Sequence, residues 1–176
     1  MNETELTPQK FLSPLEVARL WQKLVGNNSK EALMIELLAT YGMRGGELRA
    51  LRARDINQED RTILIRGSKG SRNRIFPLSI PLYSRLLQIL NTTPVTDDSL
   101  IFPISRFQLM RIWDEFKPCI GKTMHSLRHT AAIRLYQEHK DIQLVQNILG
   151  HRRLLTTLIY QQHVYSTEKF KEVFHV

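Results

Sequence analysis

Two short runs of β-type residues, Thr62-Ile63-Leu64-Ile65 and Arg74-Ile75-Phe76-Pro77, interrupt a chain whose apolar residues otherwise recur at helical spacing. They flank the loop Gly67-Ser68-Lys69-Gly70-Ser71-Arg72-Asn73 and therefore read as a β-hairpin set inside a mostly helical chain. The expected fold class is α+β, mainly α-helical, with one small antiparallel hairpin or sheet near residues 55–78. With 176 residues, 42% of them hydrophobic, the chain suffices for one well-buried domain and is too short for two comfortable ones.

Residues 1–12 are polar and irregular and are expected to form a flexible lead-in. Ser13-Pro14-Leu15-Glu16 then reads as a capping box with proline in the first turn, and Leu15, Ala18, Leu20, Trp21 and Leu24 follow at helical spacing until Gly26-Asn27-Asn28. A second helix is expected from about Ser29 to Tyr41, with Leu33, Leu37, Leu38 and Tyr41 on one face. Later helical patterns cover about Pro81–Leu90, Ser105–Lys117, His125–His139, Ile142–Leu149, Leu154–His163 and Thr167–Phe174. The stretch Thr92-Thr93-Pro94-Val95-Thr96-Asp97-Asp98 reads as a surface connection within one domain, 13–176.

Composition narrows the function classes. Lys and Arg number 25 against 17 Asp and Glu, a formal charge of +8, which favours a polyanionic partner without identifying one. The single cysteine, Cys119, excludes an internal disulfide framework and fits a reducing cytoplasm; after Pro118 it reads as a buried, inert thiol. The acidic start, Met1-Asn2-Glu3-Thr4-Glu5, lacks the basic n-region of a signal peptide. The most apolar stretch, Ala32 to Met43, contains Glu36 and falls well short of the ~20 residues that span a bilayer, so it reads as a core helix.

Five features bear polar groups suited to chemistry. Thr40-Tyr41-Gly42-Met43-Arg44-Gly45-Gly46-Glu47-Leu48 ends one helix at a glycine, starts another, and fixes Arg44 on a short bend with Glu47 nearby. His125-Ser126-Leu127-Arg128-His129 opens a helix and sets His125 and Arg128 side by side where backbone N–H groups and the helix dipole attract anions. His129 reads as packed or hydrogen-bonded inside. Leu149-Gly150-His151 ends a helix at a favourable glycine and holds His151 just beyond it. Tyr160 lies nine positions further on, in Thr156-Thr157-Leu158-Ile159-Tyr160. Lys69 occupies the hairpin tip, with Arg72 and Arg74 near it and glycines that permit close approach to a phosphate backbone. Each alone is compatible with an ordinary structural role.

In their order and spacing these five features resemble the tyrosine recombinase, or phage integrase, family. The match is Tyr-Gly-Met-Arg44-x-Gly-Glu47-Leu, a hairpin lysine at Lys69, His125-x-Leu-Arg128-His, Leu-Gly-His151 and Thr-Thr-x-x-Tyr160. It covers the family's catalytic domain, about residues 12 to 176. Family members usually carry an N-terminal helical DNA-clamping domain, and only about a dozen residues precede the first helix here. The resemblance is therefore to an isolated catalytic domain, or to a small form without the core-binding domain, like the fimbrial switch proteins.

The resemblance implies a mechanism. Tyr160 would attack the scissile phosphate in line, form a 3′-phosphotyrosyl link and release a 5′-hydroxyl. Arg44 and Arg128 would clamp the non-bridging oxygens, because the planar guanidinium matches two phosphate oxygens and stays charged. His125 would take the tyrosine proton, Lys69 would protonate the departing oxygen, and His151 would donate a hydrogen bond to the phosphate. Glu47 would orient Arg44 or His125. The arginines would do the neutralising that Mg²⁺ does elsewhere, so no metal or other cofactor is expected.

The implied partners are double-stranded DNA recombination sites, with four protomers assembling on two sites from a monomer in solution, and with accessory DNA-bending proteins. Phe170, Val173 and Phe174 recur at helical spacing in a C-terminal tail helix that would dock on a neighbouring protomer, as such tails do in relatives, or pack on its own domain. Type IB topoisomerase-like relaxation is the alternative with similar chemistry, and a DNA-binding regulator of the same fold is the alternative from another class. Arg106, Arg111 and Lys117 share a helix that could approach a groove, although plain solvation explains them as well.

Overall fold

The structure is a computed structural model; it describes residues 6–68, 71–92 and 96–174, with side chains through Val164. Helix α1 (Pro14–Leu24) begins as its sequence dictates. The Ser13 hydroxyl accepts from the Glu16 N–H and the Glu16 carboxylate accepts from the Ser13 N–H at 2.7 Å. Leu20 and Leu24 are buried, whereas Leu15, expected on the same stripe, is 62% exposed because it sits in the first turn, off the edge of the core.

Helix α2 (Lys30–Tyr41) buries more than one face: Ala32, Leu33, Met34, Ile35, Leu37, Leu38 and Tyr41 are all inside. A helix apolar nearly all round is surrounded, and α1, α4, α5 and α6 pack against it. It stops at Gly42, whose φ of 59° is in the left-handed region. The short helix α3 (Gly45–Arg49) follows immediately.

Strands β1 (Ile56–Asn57), β2 (Thr62–Ile65) and β3 (Arg74–Pro77) form an antiparallel sheet in the order β1-β2-β3, so the expected hairpin gains one short strand. Thr62 pairs with Pro77 and Ile65 with Arg74. Ile63 and Ile65 are buried, and the sheet is tied to α2 by a 2.8 Å hydrogen bond from the Tyr41 hydroxyl to the Pro77 carbonyl.

Helices α4 (Ile80–Thr92), α5 (Arg106–Phe116), α6 (Met124–His139) and α7 (Ile142–Leu149) lie where their patterns place them to within a residue or two. The last helix, α8, differs: it runs unbroken over Leu155–Phe174 instead of as two pieces, since no glycine or proline interrupts it and Ser166-Thr167 sits inside the helix instead of capping a new one. The tail residues Phe170, Val173 and Phe174 lie beyond the described side chains, and Lys69 lies outside the described residues.

Residues 6–12, expected to be free, are held to the domain. Leu6 and Leu12 are buried, the Leu12 N–H donates to the Thr130 hydroxyl at 2.8 Å, and Lys122 Nζ donates to the carbonyls of Pro8 and Phe11. Cys119 is half-buried instead of buried; its thiol donates to Glu16 Oε1 at 2.9 Å, and this hydrogen bond to a carboxylate pushes its pKa up, which disfavours the reactive thiolate.

The buried apolar residues form two clusters. One joins α1, α2, the sheet, α4 and α5; the other joins Leu6 to α6, α7 and α8 through Ala132, Ile133, Tyr136, Val145, Leu149, Tyr160 and Val164. Helix α6 contributes to both, with Leu127 in the first and Ala132 in the second. Buried polar groups, Glu47, Arg74, Arg128 and His151 among them, gather where the two meet. Among the described residues no helix is long and apolar enough to cross a membrane.

Candidate active site

Arg128 stands at the centre of this seam, 1% exposed. One end of its guanidinium donates to the Gly42 carbonyl at 2.6 Å and the other to the Leu149 carbonyl at 2.7 Å. Both acceptors are at helix C-termini, where carbonyls lack intrahelical partners and the dipole is negative, so a buried cation is well placed there. Burial and the nearby Arg44 charge bring its pKa down to about 10, which leaves it protonated at neutral pH.

Glu47 is the second anchor. Arg74 grips it with both guanidinium nitrogens, at 3.1 and 2.8 Å, while the Arg44 N–H donates at 2.9 Å and the Arg44 side chain at 3.3 Å. Burial alone would raise this carboxyl, but the Arg74 and Arg44 hydrogen bonds and the charges of Arg74 and Arg128 hold it below the ordinary carboxylate value. Glu47 thus orients Arg44, whose side chain keeps 31% exposure and also donates to the Ser71 hydroxyl. The sequence placed Arg74 merely near the hairpin tip; in the fold it is buried and paired.

The hairpin's return side is fastened to the turn that carries His151. The Arg72 N–H donates to the Gly150 carbonyl at 2.9 Å, and Ser71 forms a β-bridge with His151. A Cβ on Gly150 would lie 2.6 Å from Arg74 Cδ and 3.0 Å from the Arg72 carbonyl oxygen, and the backbone there has φ 70°. Gly150→Ala should therefore destabilise the fold by about 2–4 kcal/mol, combining left-handed strain with overpacking. Gly46→Ala, where nothing lies within 4 Å, should change stability by less than about 1 kcal/mol. Urea unfolding of the two variants measures the difference.

His151 is buried, with Nδ1 3.0 Å from the Thr157 hydroxyl, which leaves Nε2 as the other ring nitrogen. His125 is at the exposed start of α6. Tyr160 is 2% exposed, and its hydroxyl lies 3.0 Å from Nδ1 of His129, a ring that the sequence alone marks only as packed or hydrogen-bonded inside. Burial pushes the Tyr160 hydroxyl up to about 12, against the charges of Arg128 and Arg44, which act in the opposite direction.

Burial and the cations around them lower His125, His129 and His151 from 6.5, His129 to about 4 and His151 to about 3. In the unfolded chain these rings take up protons as pH falls through 6.5, whereas in the fold His129 and His151 do so only near 4 and 3. The unfolded state binds more protons in between, so stability is full above 6.5 and declines below it. The lowered carboxyls, Glu16 and Glu47, act only below 4.5. The thermal midpoint should thus fall steadily as pH is reduced from 6.5 to 4.5, and scanning calorimetry across that window checks it.

Arg44, Arg128, His125, His151 and Tyr160 therefore share one site, each within electrostatic reach of the two arginines. The arrangement suits binding of a tetrahedral oxyanion beside a hydroxyl nucleophile. Among the described residues no three His, Cys, Asp or Glu side chains are grouped so as to hold a metal ion.

Residues 10–167 match the model of the phage integrase family. The chain belongs to the phage integrase family. The tyrosine recombinase XerA of Pyrococcus furiosus is 34% identical over 166 residues, covering 88% of this chain and 57% of the relative. Among solved structures, the XerH site-specific recombinase bound to its difH substrate before cleavage superposes with a TM-score of 0.69 at 28% identity, covering 89% of this chain and 50% of that one. The catalytic domain of bacteriophage HP1 integrase shares the fold, with a TM-score of 0.63 at 21% identity over 93% of this integrase-family chain and 94% of its own. The chain thus spans somewhat over half the length of the Pyrococcus furiosus relative, and its described part has the tyrosine recombinase catalytic fold.

Proposed function

We propose that this chain cleaves and rejoins double-stranded DNA at specific sites through a 3′-phosphotyrosyl intermediate on Tyr160, as a tyrosine recombinase acting on DNA in the cytoplasm. The observation that carries the reading is the convergence of two guanidinium groups, three neutral imidazoles and a buried tyrosine hydroxyl on one seam of the fold. Membership of the phage integrase family and likeness to a recombinase bound to its DNA substrate support it.

Arg44 and Arg128 hold the non-bridging oxygens of the scissile phosphate and stabilise the charge of the transition state. Glu47 keeps Arg44 in place. His151 donates a hydrogen bond to the phosphate through Nε2, Lys69 protonates the departing 5′-oxygen, and the Tyr160 proton leaves through the α6 histidines. The covalent link preserves the energy of the broken phosphodiester, so a 5′-hydroxyl from a second duplex reverses the attack and strands are exchanged. Four protomers on two sites carry this through.

The test begins with a pool of centrally nicked duplexes whose half-sites are randomised, from which denaturation-resistant protein–DNA complexes are enriched. Two enriched duplexes of different length, incubated with the protein, should yield products of exchanged length. Relaxation of plasmid lacking any enriched site would indicate a topoisomerase instead, and absence of any denaturation-resistant complex would reject covalent cleavage altogether.

A further inference from the structure

The Tyr160 hydroxyl touches His129, one helical turn beyond the histidine to which the family resemblance assigns its proton. On α6 the His125 and His129 rings meet edge to face with centroids 4.6 Å apart, and the His129 ring lies 5.7 Å from that of Tyr160. From solvent to core the order is exposed His125, half-buried His129, buried Tyr160. We infer that His129, through Nδ1, is the catalytic base that receives the Tyr160 proton as its oxygen attacks phosphorus. This rests on Tyr160 being the nucleophile.

The step balances. With the ring proton on Nε2, the Nδ1 lone pair accepts the hydrogen bond from the hydroxyl at 3.0 Å. As the bond from Tyr160 Oη to phosphorus forms, the O–H bond breaks and its proton passes to Nδ1. The bond from phosphorus to the 5′-oxygen breaks, and that oxygen takes a proton from Lys69. The products are a phosphotyrosyl ester, a 5′-hydroxyl, a neutral Lys69 amine and a His129 imidazolium, and the reverse reaction restores the start.

The surroundings of His129 explain why the base is idle without DNA. Among the described residues, the charged and titratable groups acting on it are His125 and Arg128 on its own helix, Lys10 from the 3-10 turn Pro8–Lys10, and Tyr160 from α8, a set without a carboxylate. Burial and those cations hold the ring neutral, yet leave it too weak a base to take a proton from a hydroxyl near 12. A phosphate docked at Arg44 and Arg128 brings negative charge next to this cationic set, which raises the basicity of His129. The substrate's own phosphate then completes the base, and Tyr160 stays protonated until the DNA is in place.

His129→Asn provides the test, because its side-chain oxygen takes the place of Nδ1 as hydrogen-bond acceptor but does not accept a proton at neutral pH. Single-turnover adduct formation on an enriched nicked duplex should slow by about 10²-fold or more, with DNA affinity and thermal midpoint near those of the wild type. Its rate should keep rising with pH where the wild-type rate levels off. His125→Asn should lower the rate without moving the profile. Wild-type rate and profile in His129→Asn, or loss of the profile in His125→Asn alone, would overturn the inference.

A measurement on the unaltered protein guards against a misfolded variant. In ¹⁵N-histidine spectra, orthovanadate added as a phosphate mimic should move the His129 titration upward from about 4, and an unmoved titration would overturn the inference as well. If the wild-type protein forms no adduct on any duplex, the reading of Tyr160 fails and this one with it; a wild-type adduct with an indifferent His129→Asn rejects only the role of His129.

Discussion

Tyr160→Phe should abolish the denaturation-resistant protein–DNA complex while leaving the fold almost untouched. The ring belongs to the second apolar cluster, with Ala132, Ile133, Val145, Leu149 and Val164, and phenylalanine preserves that packing. What is lost is one oxygen and its hydrogen bond with His129, worth about 1 kcal/mol of stability. The same oxygen is the atom that bonds to phosphorus in the proposed reaction, so its removal eliminates the covalent step outright. Equilibrium unfolding and the adduct assay on one preparation would separate the two effects: a stability change of about 1 kcal/mol with no adduct is expected.

Arg128→Lys should reduce adduct formation by roughly 10²–10³-fold and stability by about 1–3 kcal/mol, although it conserves charge. The guanidinium bridges two carbonyls, Gly42 at 2.6 Å and Leu149 at 2.7 Å, at the C-terminal ends of α2 and α7. Its fork has more N–H groups than these two carbonyls use, and in the proposed reaction the remainder hold the phosphate. An ammonium is a single point on a flexible stem and does not span both carbonyls and an oxyanion together. One carbonyl then stays buried without its donor, which accounts for the stability loss, and the phosphate loses a fixed donor, which accounts for the rate. Single-turnover rates together with urea unfolding would measure both. Arg44→Lys should lose rate with a smaller stability cost, because Arg44 is partly exposed and its side chain bonds Glu47 and Ser71 instead of bridging two buried carbonyls.

Much of this architecture was legible in local sequence, and the reason is physical. Ser13 with Glu16, Gly42 and Gly150 act through their nearest neighbours, so the cap and the two left-handed helix ends follow from residue type alone. The hairpin strands were marked by β-branched residues on either side of a glycine-bearing loop. The four features that the fold brings together, those carrying Arg44, His125 with Arg128, His151 and Tyr160, were legible through their order along the chain, not through their chemistry taken singly.

The rest depends on contacts distant in sequence. In β3 the arginine faces inward and Ile75 is 67% exposed, the reverse of what polarity suggests, because the buried carboxylate of Glu47 awaits Arg74 across the fold. No local pattern announces that pairing. The same is true of His129, whose partner comes from another helix 31 positions on, and of residues 6–12, whose anchors are Thr130 and Lys122. A histidine directly after the arginine of a His-x-Leu-Arg motif was a signal in plain view, but only the placement of Tyr160 gave it a chemical meaning.

The central claim is that Tyr160 is joined to DNA by its oxygen, and mapping the bond tests it most directly. The adduct formed on an enriched nicked duplex would be digested with nuclease and trypsin, and the peptide Leu154–Lys169 sequenced by tandem mass spectrometry. That peptide holds two tyrosines, Tyr160 and Tyr165, so fragmentation must place the modification on one of them. A nucleotide attached through its 3′-phosphate to Tyr160 is the predicted result; a nucleotide on Tyr165 or any other residue, or one attached through its 5′-phosphate, would contradict the account.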